Sequence, residues 1–295
     1  MKKVSIMLLL AFAVMGCGSG KAKKAEQSEA NVQTAQTASY QFAISNKDGS
    51  KFLVESEEGA SFEELVFAVS DGKLYRVKLI GRQQRNEEND NGRQNFENFE
   101  NLQGALFENL DGKILPSDAE EYEAVWGTIL LVNQGYLDEN ELVSFSRPEE
   151  IEEPGESTIE ALEKQFGRKV MQAQKVISFG DNRQNSFFSV QFENKGNEAL
   201  GIYMTETADG KRAYMEFPAT FESNEDGYAL SVWRVDDDGQ FIAPAISAVF
   251  KQGDSYVFLS DDSGFEGTHT SFIRQTGDRL IADEESSYSR YTAPL

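Results

Sequence analysis

The sequence predicts a mainly β protein, an antiparallel sandwich or barrel built from hairpins, with at least one short helix at about residues 158–170. Three observations predict it. Asp-Gly dipeptides recur at 48–49, 71–72, 111–112, 209–210, 226–227 and 238–239, and Asp-Gly accepts the positive φ that type I′ hairpin turns demand. Short runs rich in Val, Ile, Phe and Tyr lie between such turns at spacings of 8 to 15 residues, the rhythm of a meander that folds into a sandwich or barrel. One segment, from Ser157 onward, joins helix-start chemistry to a helical apolar period.

The chain begins with three zones. Lys2 and Lys3 make a basic start, and Val4 to Val14 is apolar apart from Ser5. That stretch is shorter than the about 20 residues a membrane-spanning helix needs, and with its basic flank it matches the core of a secretory signal. It ends in Val14-Met15-Gly16-Cys17, which resembles the lipobox where lipoprotein signal peptidase cuts before an acylated cysteine. The resemblance covers residues 1–17 and is to bacterial lipoproteins. It implies a signal peptide over 1–16, three acyl chains on Cys17 and a firm membrane anchor. Gly18 is not the aspartate associated with inner-membrane retention, so the resemblance implies the outer membrane. Cys17 is the one cysteine of the chain, and acylation removes the odd reactive thiol an exported protein would otherwise carry. Residues 17–38 are mostly Gly, Ser, Ala, Lys, Gln and Thr. They hold too little apolar area to offset ordering entropy, so they read as a flexible tether, one reaching on the order of 25 Å. Lys21, Lys23 and Lys24 suit anionic head groups or a solubilising spacer equally.

Residues 39–147 read as an N-terminal β region. Leu65 to Val69 precedes Asp71-Gly72, and Leu74 to Ile80 follows with Tyr75, Val77 and Leu79 on one face. A capping box at Ser61 to Glu64 competes for part of this segment as a short helix. Residues 83–101 are polar and read as a long exposed loop, with an amphipathic helix started by Phe96 and Phe99 and continued by Leu102 and Leu106 as the alternative. Residues 148–156, rich in Pro and Glu, read as a hinge between two halves. Beyond it, Ser157-Thr158-Ile159-Glu160 is a capping box, and Ile159, Leu162, Phe166 and Val170 form one stripe. Phe187–Phe192, Ala199–Met204, Arg212–Phe217, Tyr228–Val235, Ile246–Phe250 and Tyr256–Leu259 complete a C-terminal β region within 157–295. Phe188, Val190 and Phe192 share a face there.

A second reading makes the halves two related β units. Ser39-Tyr40-Gln41-Phe42 resembles Ser189-Val190-Gln191-Phe192. Each is followed by Asp-Gly-Lys (71–73, 209–211), a further Asp-Gly with a proline (Pro116, Pro244), and Ala-Val-aromatic (124–126, 248–250). The spacings differ by up to 12 residues, and hairpin chemistry common to both halves explains the same order.

Charge narrows the function. The chain carries 50 acids against 28 bases, a formal charge of −22; without Lys2 and Lys3 the mature chain stands at −24. This excludes nucleic acid, whose binding rests on a basic surface. It leaves solubility, cation binding or a basic partner. His269 is the one histidine, so zinc sites with two imidazoles are excluded, and thiolate sites go with the lone cysteine. Neither glycine-rich phosphate-loop pattern occurs. No cofactor is expected apart from calcium.

Two local patterns bear on chemistry. Gly253-Asp254-Ser255-Tyr256 resembles the nucleophile block of GDSL-type esterases, with His269 downstream and Glu266 where that family has aspartate. The family implies an α/β fold with its serine near the N-terminus, whereas this block lies near the C-terminus between two predicted strands. Gly-Asp-Ser reads more simply as a hairpin turn. Aligned on Gly239 as an EF-hand loop, the acids 236–238 place Arg234 and Ala245 where calcium needs oxygen ligands. Asp261, Asp262 and Glu266 remain as an irregular calcium candidate. Phe187, Phe188, Phe192 and Tyr203 cluster near one hairpin and read as core, an outward Phe187 being the sign of a partner surface.

These residues lead first to a membrane-anchored envelope protein that binds or assembles without catalysis, its partner an unknown envelope protein or a glycan. An envelope hydrolase using carboxylates or Ser255 is the second expectation, and a calcium-dependent adhesin the third. Two convergent acids of perturbed pKa in a cleft would favour the hydrolase.

Overall fold

The computed structural model describes residues 37–115, 125, 127–222, 231–235, 237–264 and 266–292. The signal peptide, Cys17 and the tether as far as residue 36 lie outside the described residues. So do Pro116, Ala124, Trp126, Asp226-Gly227 and Asp236.

The first six described strands close into a barrel. They are β1 (Tyr40–Ser45), β2 (Lys51–Glu55), β3 (Phe67–Ser70), β4 (Lys73–Gln83), β5 (Gly104–Asn109) and β6 (Ile129–Val132), in the order β1-β2-β5-β4-β3-β6. Asp71 and Gly72, at φ 49° and 69°, join β3 to β4 by the turn the dipeptide predicts. β6 is an unbroken apolar run, Ile-Leu-Leu-Val, with no exposed residue. Alternate strand residues face opposite ways, so Ile129 and Leu131 fill the barrel with Phe52, Val54 and Phe107. Leu130 and Val132 face outward onto Ala248, Phe250, Leu259 and Phe272 of the second sheet. One strand thus serves two cores.

After β6, Asn133 caps helix α1 (Gln134–Glu139), its Oδ1 accepting the Tyr136 amide at 2.8 Å. The same oxygen accepts the Ser39 amide at 3.0 Å, and Asn133 Nδ2 donates to the Thr37 carbonyl at 2.7 Å. Thr37 of the predicted tether is therefore held at the end of β6, and Ala38 packs on the core that holds Val132.

The second sheet is built from β7 (Glu141–Leu142), β8 (Phe145–Ser146), β9 (Val170–Phe179), β10 (Asn185–Phe192), β11 (Glu198–Glu206), β12 (Arg212–Thr220), β13 (Ala245–Gln252), β14 (Ser255–Ser263), β15 (Gly267–Thr276) and β16 (Arg279–Tyr291). Its order is β7-β13-β14-β15-β16-β12-β11-β10-β9-β8. β7 and β8 are halves of one bent ribbon, one paired with β13 and the other with β9, so the sheet curls until its two ends share that ribbon. Inside the curl lie Ile177, Phe179, Phe187, Val249, Phe258 and Ile273. Outside, helix α2 (Glu156–Phe166) sets Leu162 on Phe188, Val190, Phe192 and Ile202. Phe188, Val190 and Phe192 share a face as predicted, while Phe187 on the other face is buried in the inner core rather than displayed.

Several local expectations are revised. The helix spans 156–166 rather than 158–170, with Gly155 as its N-cap. Thr158 faces inward and donates to Glu206 Oε1 at 3.0 Å, and Ser157 sits inside the first turn, so the capping box does not form. Gly167, at φ 61°, ends the helix with its amide on the Glu163 carbonyl, and Val170 begins β9. The Ser61–Glu64 segment is a turn, closed by the Leu65 amide on the Phe62 carbonyl at 3.1 Å. The 83–101 loop is not merely exposed, because Asn95, Asn98 and Phe99 are buried. Of the predicted strand Tyr228–Val235, the described residues 231–235 are not strand, and 232–235 form bends and a turn. The chain enters the second sheet at β7, before residues 148–156, and Gln36–Leu295 clusters as one unit. Asp71-Gly72-Lys73 and Asp209-Gly210-Lys211 are both hairpin turns, yet the barrel and the curled sheet differ in strand order.

Candidate functional site

The barrel docks on the sheet where the β3–β4 turn meets β13. The Gly72 amide donates to the Ser247 carbonyl at 2.9 Å. A Cβ on Gly72 would fall 2.7 Å from Phe145 Cε1, so its positive φ and this close approach both call for glycine. Beside the turn opens a cleft of about 510 Å³, bordered by Ser70, Thr128, Ser247, Asp261 and Thr268 among others. That volume falls within the roughly 300–1,000 Å³ of small-molecule sites, which gather at junctions of this kind.

Asp261 of β14 is buried at the cleft wall, 7% exposed. The Thr270 hydroxyl of β15 donates to its Oδ1, and Thr128 Oγ1, leading into β6, lies 2.6 Å from Thr270 Oγ1. The Thr128 and Ser247 hydroxyls also bond to the Asp261 carboxyl. Hydroxyls thus link barrel to acid. Burial pushes the Asp261 carboxyl above its ordinary range, and the Thr270 hydroxyl and the Arg290 charge oppose the rise without cancelling it. At the rim, Arg147 pairs with Asp71 and donates from Nη2 to the Ile246 carbonyl at 2.7 Å.

The residues singled out in the sequence fall elsewhere. Gly253-Asp254 is the β13–β14 turn, and Ser255 opens β14. His269 sits opposite Asp262, seven residues along β14 from Ser255, or about 23 Å at the usual strand rise. Ser255 and His269 do not form a catalytic pair. Asp261 and Asp262 are consecutive in a strand and face opposite ways. Asp261 faces the barrel, while Asp262 Oδ1 accepts from Arg234 Nη2 at 2.7 Å. Glu266 is exposed between β14 and β15. The three candidates do not converge, and among the described residues no group of three His, Cys, Asp or Glu is placed to hold a metal.

Asp237 has a different task from the calcium ligand its acidic run suggests. Its Oδ1 accepts the amides of Val232 and Gly239 at 3.0 and 2.9 Å, and its Oδ2 those of Trp233 and Arg234 at 2.7 and 2.8 Å. Burial pushes its carboxyl up, but these amides outweigh burial and leave it below the ordinary range. The loop is folded around one carboxylate.

Sequence reasoning missed Thr128 and Thr270. Thr128 is a lone hydroxyl before an apolar strand, and Thr270 is one of several hydroxyls in β15, so neither stands out in the sequence. No protein-family model matches the chain, and no curated protein and no solved structure matches it either.

Proposed function

We propose that the protein is a cell-envelope lipoprotein, anchored in the outer membrane through acylated Cys17, whose β region binds a hydroxylated ligand such as a glycan unit without catalysis. The observation that carries this reading is the cleft between barrel and sheet, with buried Asp261 in its wall and Ser and Thr hydroxyls around it. Hydroxyls both donate and accept, which suits a neutral polyol. The charges at the rim, Asp71 and Arg147, neutralise each other. One acid with a raised pKa favours the hydrolase as the second reading. Glycoside hydrolysis needs a second carboxylate at a fixed separation, and the cleft's other acid is engaged by Arg147.

The test is titration of the mature protein with a panel of mono- and disaccharides, read by thermal shift and product analysis. A sugar should stabilise the wild type and lose that effect in Thr268→Val or Asp261→Asn. Turnover by the wild type but not by Asp261→Asn moves the protein to the hydrolase reading; no binding by any saccharide overturns the cleft assignment. For the anchor, processing should be globomycin-sensitive and Cys17→Ala should leave the membrane fraction.

A further inference from the structure

β12 and β16 pair at a single point, Tyr214 with Arg279, and run parallel from there. The described residues of the loop before β13, 231–235 and 237–244, sit across the space beyond. Trp233 Nε1 donates to the Phe217 carbonyl of β12 at 2.8 Å. Gln191 of β10 holds the loop from below, its Nε2 donating to the Gly239 carbonyl at 2.7 Å and its Oε1 accepting the Phe241 amide at 2.9 Å. Phe241 lies directly against Gly201, where a Cβ would come within 2.4 Å of its Cγ.

These constraints leave a cup of about 260 Å³ walled by Tyr203, Phe217, Trp233 and Phe241. Neighbouring ring centroids are 4.5 to 5.2 Å apart and their planes are inclined by 35° to 59°. The rings are therefore packed against one another at a slant, with Tyr203 and Phe241 buried at the back of the cup and the partly buried Phe217 and Trp233 in front. Arg234 reaches the rim, but its guanidinium is occupied by Asp262 Oδ1 and by the Ser263 carbonyl, each at 2.7 Å. Glu284, its side chain 73% exposed, stands 3.5 Å from His269 Nε2. With Arg234 and Asp262 cancelling and His269 counted neutral, the rim carries one formal negative charge.

Elsewhere the protein covers ring faces with its own cations, Arg93 over Tyr291, Arg147 over Phe145 and Arg274 over Phe272. Among the described residues, no cation is stacked on the four rings of the cup. Aromatic walls attract a desolvated cation through the ring quadrupole, and a chain of formal charge −22 draws cations toward itself.

We propose that this cup, separate from the cleft, binds a small organic cation with a quaternary ammonium head, held against Trp233 and its neighbouring rings with Glu284 at the rim. The chain has two tryptophans, so Trp126→Phe makes Trp233 the sole fluorescent reporter, and calorimetry on the wild type gives an independent readout. Choline should bind saturably by both measures. Its uncharged isostere, 3,3-dimethylbutan-1-ol, should bind at least about tenfold more weakly, since it fills the cup without the cation–π attraction. Gly201→Ala, which pushes Phe241 into the cup, should abolish choline binding, and Glu284→Gln should weaken it about threefold. Sedimentation with phosphatidylcholine vesicles then separates a lipid head group from a free cation as the source. Equal affinity for the neutral alcohol, saturable binding of a saccharide in place of choline, or no response to millimolar choline by calorimetry overturns the proposal.

Discussion

Asp237, in the loop that carries Trp233, and Asp261 at the barrel–sheet junction are both nearly closed to solvent, 5% and 7% exposed, but Asp261 lies deeper in the protein, and their carboxyls shift in opposite directions. Asp237 faces four backbone amides, which are fixed in place and can only donate. Asp261 faces the Thr270 hydroxyl, with the Thr128 and Ser247 hydroxyls and the Arg290 charge beside it; hydroxyls can rotate and also accept. Depth of burial and the surrounding donors together set the direction of each shift: four fixed amides outweigh shallower burial at Asp237, and deep burial outweighs the hydroxyls and the Arg290 charge at Asp261. Asp237 behaves as a fixed anion that organises a loop. Asp261 is the acid of the pair that holds its proton more readily.

The two sites are linked to pH with opposite signs. For Asp237, lowered in the folded state, the stabilisation is present above the unfolded carboxyl pKa and is lost as pH falls through the folded value. For Asp261, raised in the folded state, the stabilisation is fully present below the unfolded pKa and is lost as pH rises through the folded value.

The largest expected effect tests whether the two regions belong to one folding unit. Phe272 is fully buried in the core shared by β6 and the sheet, and Phe272→Ala should cost about 3–5 kcal/mol by urea denaturation. Wild type and variant should each unfold in a single transition; two transitions in the wild type would separate barrel from sheet. Next, Asp237→Ala strips the acceptor from four amides and should cost about 1–3 kcal/mol, together with loss of the Trp233 environment seen in near-UV circular dichroism. An unchanged Trp233 signal would break the view that Asp237 builds the cup. Asp261→Asn sharpens the contrast. The stability of wild type relative to this variant should rise as pH is lowered from 7 to 4, and a difference that falls instead would reverse the assignment. The smallest effect is at the rim, where Arg147→Ala should cost less than about 1 kcal/mol because the Asp71 pair is half-exposed.

The turns and faces were readable where the controlling interaction is local. Asp71-Gly72 turns because two adjacent residues tolerate positive φ, and Phe188, Val190 and Phe192 share a face because strand side chains alternate. The helix stripe was also readable through Leu162, though its ends were not. Thr158 turned inward to Glu206, 48 residues away, and that contact displaced the capping box. The all-apolar run of β6 was overlooked because it shows no alternation, which is what burial on both faces produces. Of the candidate sites, Ser255 rested on a four-residue motif and the calcium acids on local composition, and neither carries information about distant neighbours. Strand alternation then sent Asp261 and Asp262 to opposite sides.

By itself the sequence determined the β class, the hairpin turns at Asp71-Gly72 and Asp209-Gly210, and the existence of a helix about Leu162, though not its ends. It also determined an acid excess and the lack of paired histidines or thiols. Each of these depends on residues a few positions apart or on composition. Only the tertiary structure decided that Thr128 meets Thr270 across 142 residues of chain, that β12 and β16 touch at one point, and that four aromatic rings close a cup around the Asp237 loop. Turn geometry and strand alternation act over two to four residues, whereas the choice of neighbouring strands is made by burial of the whole chain, and with it the position of every functional group.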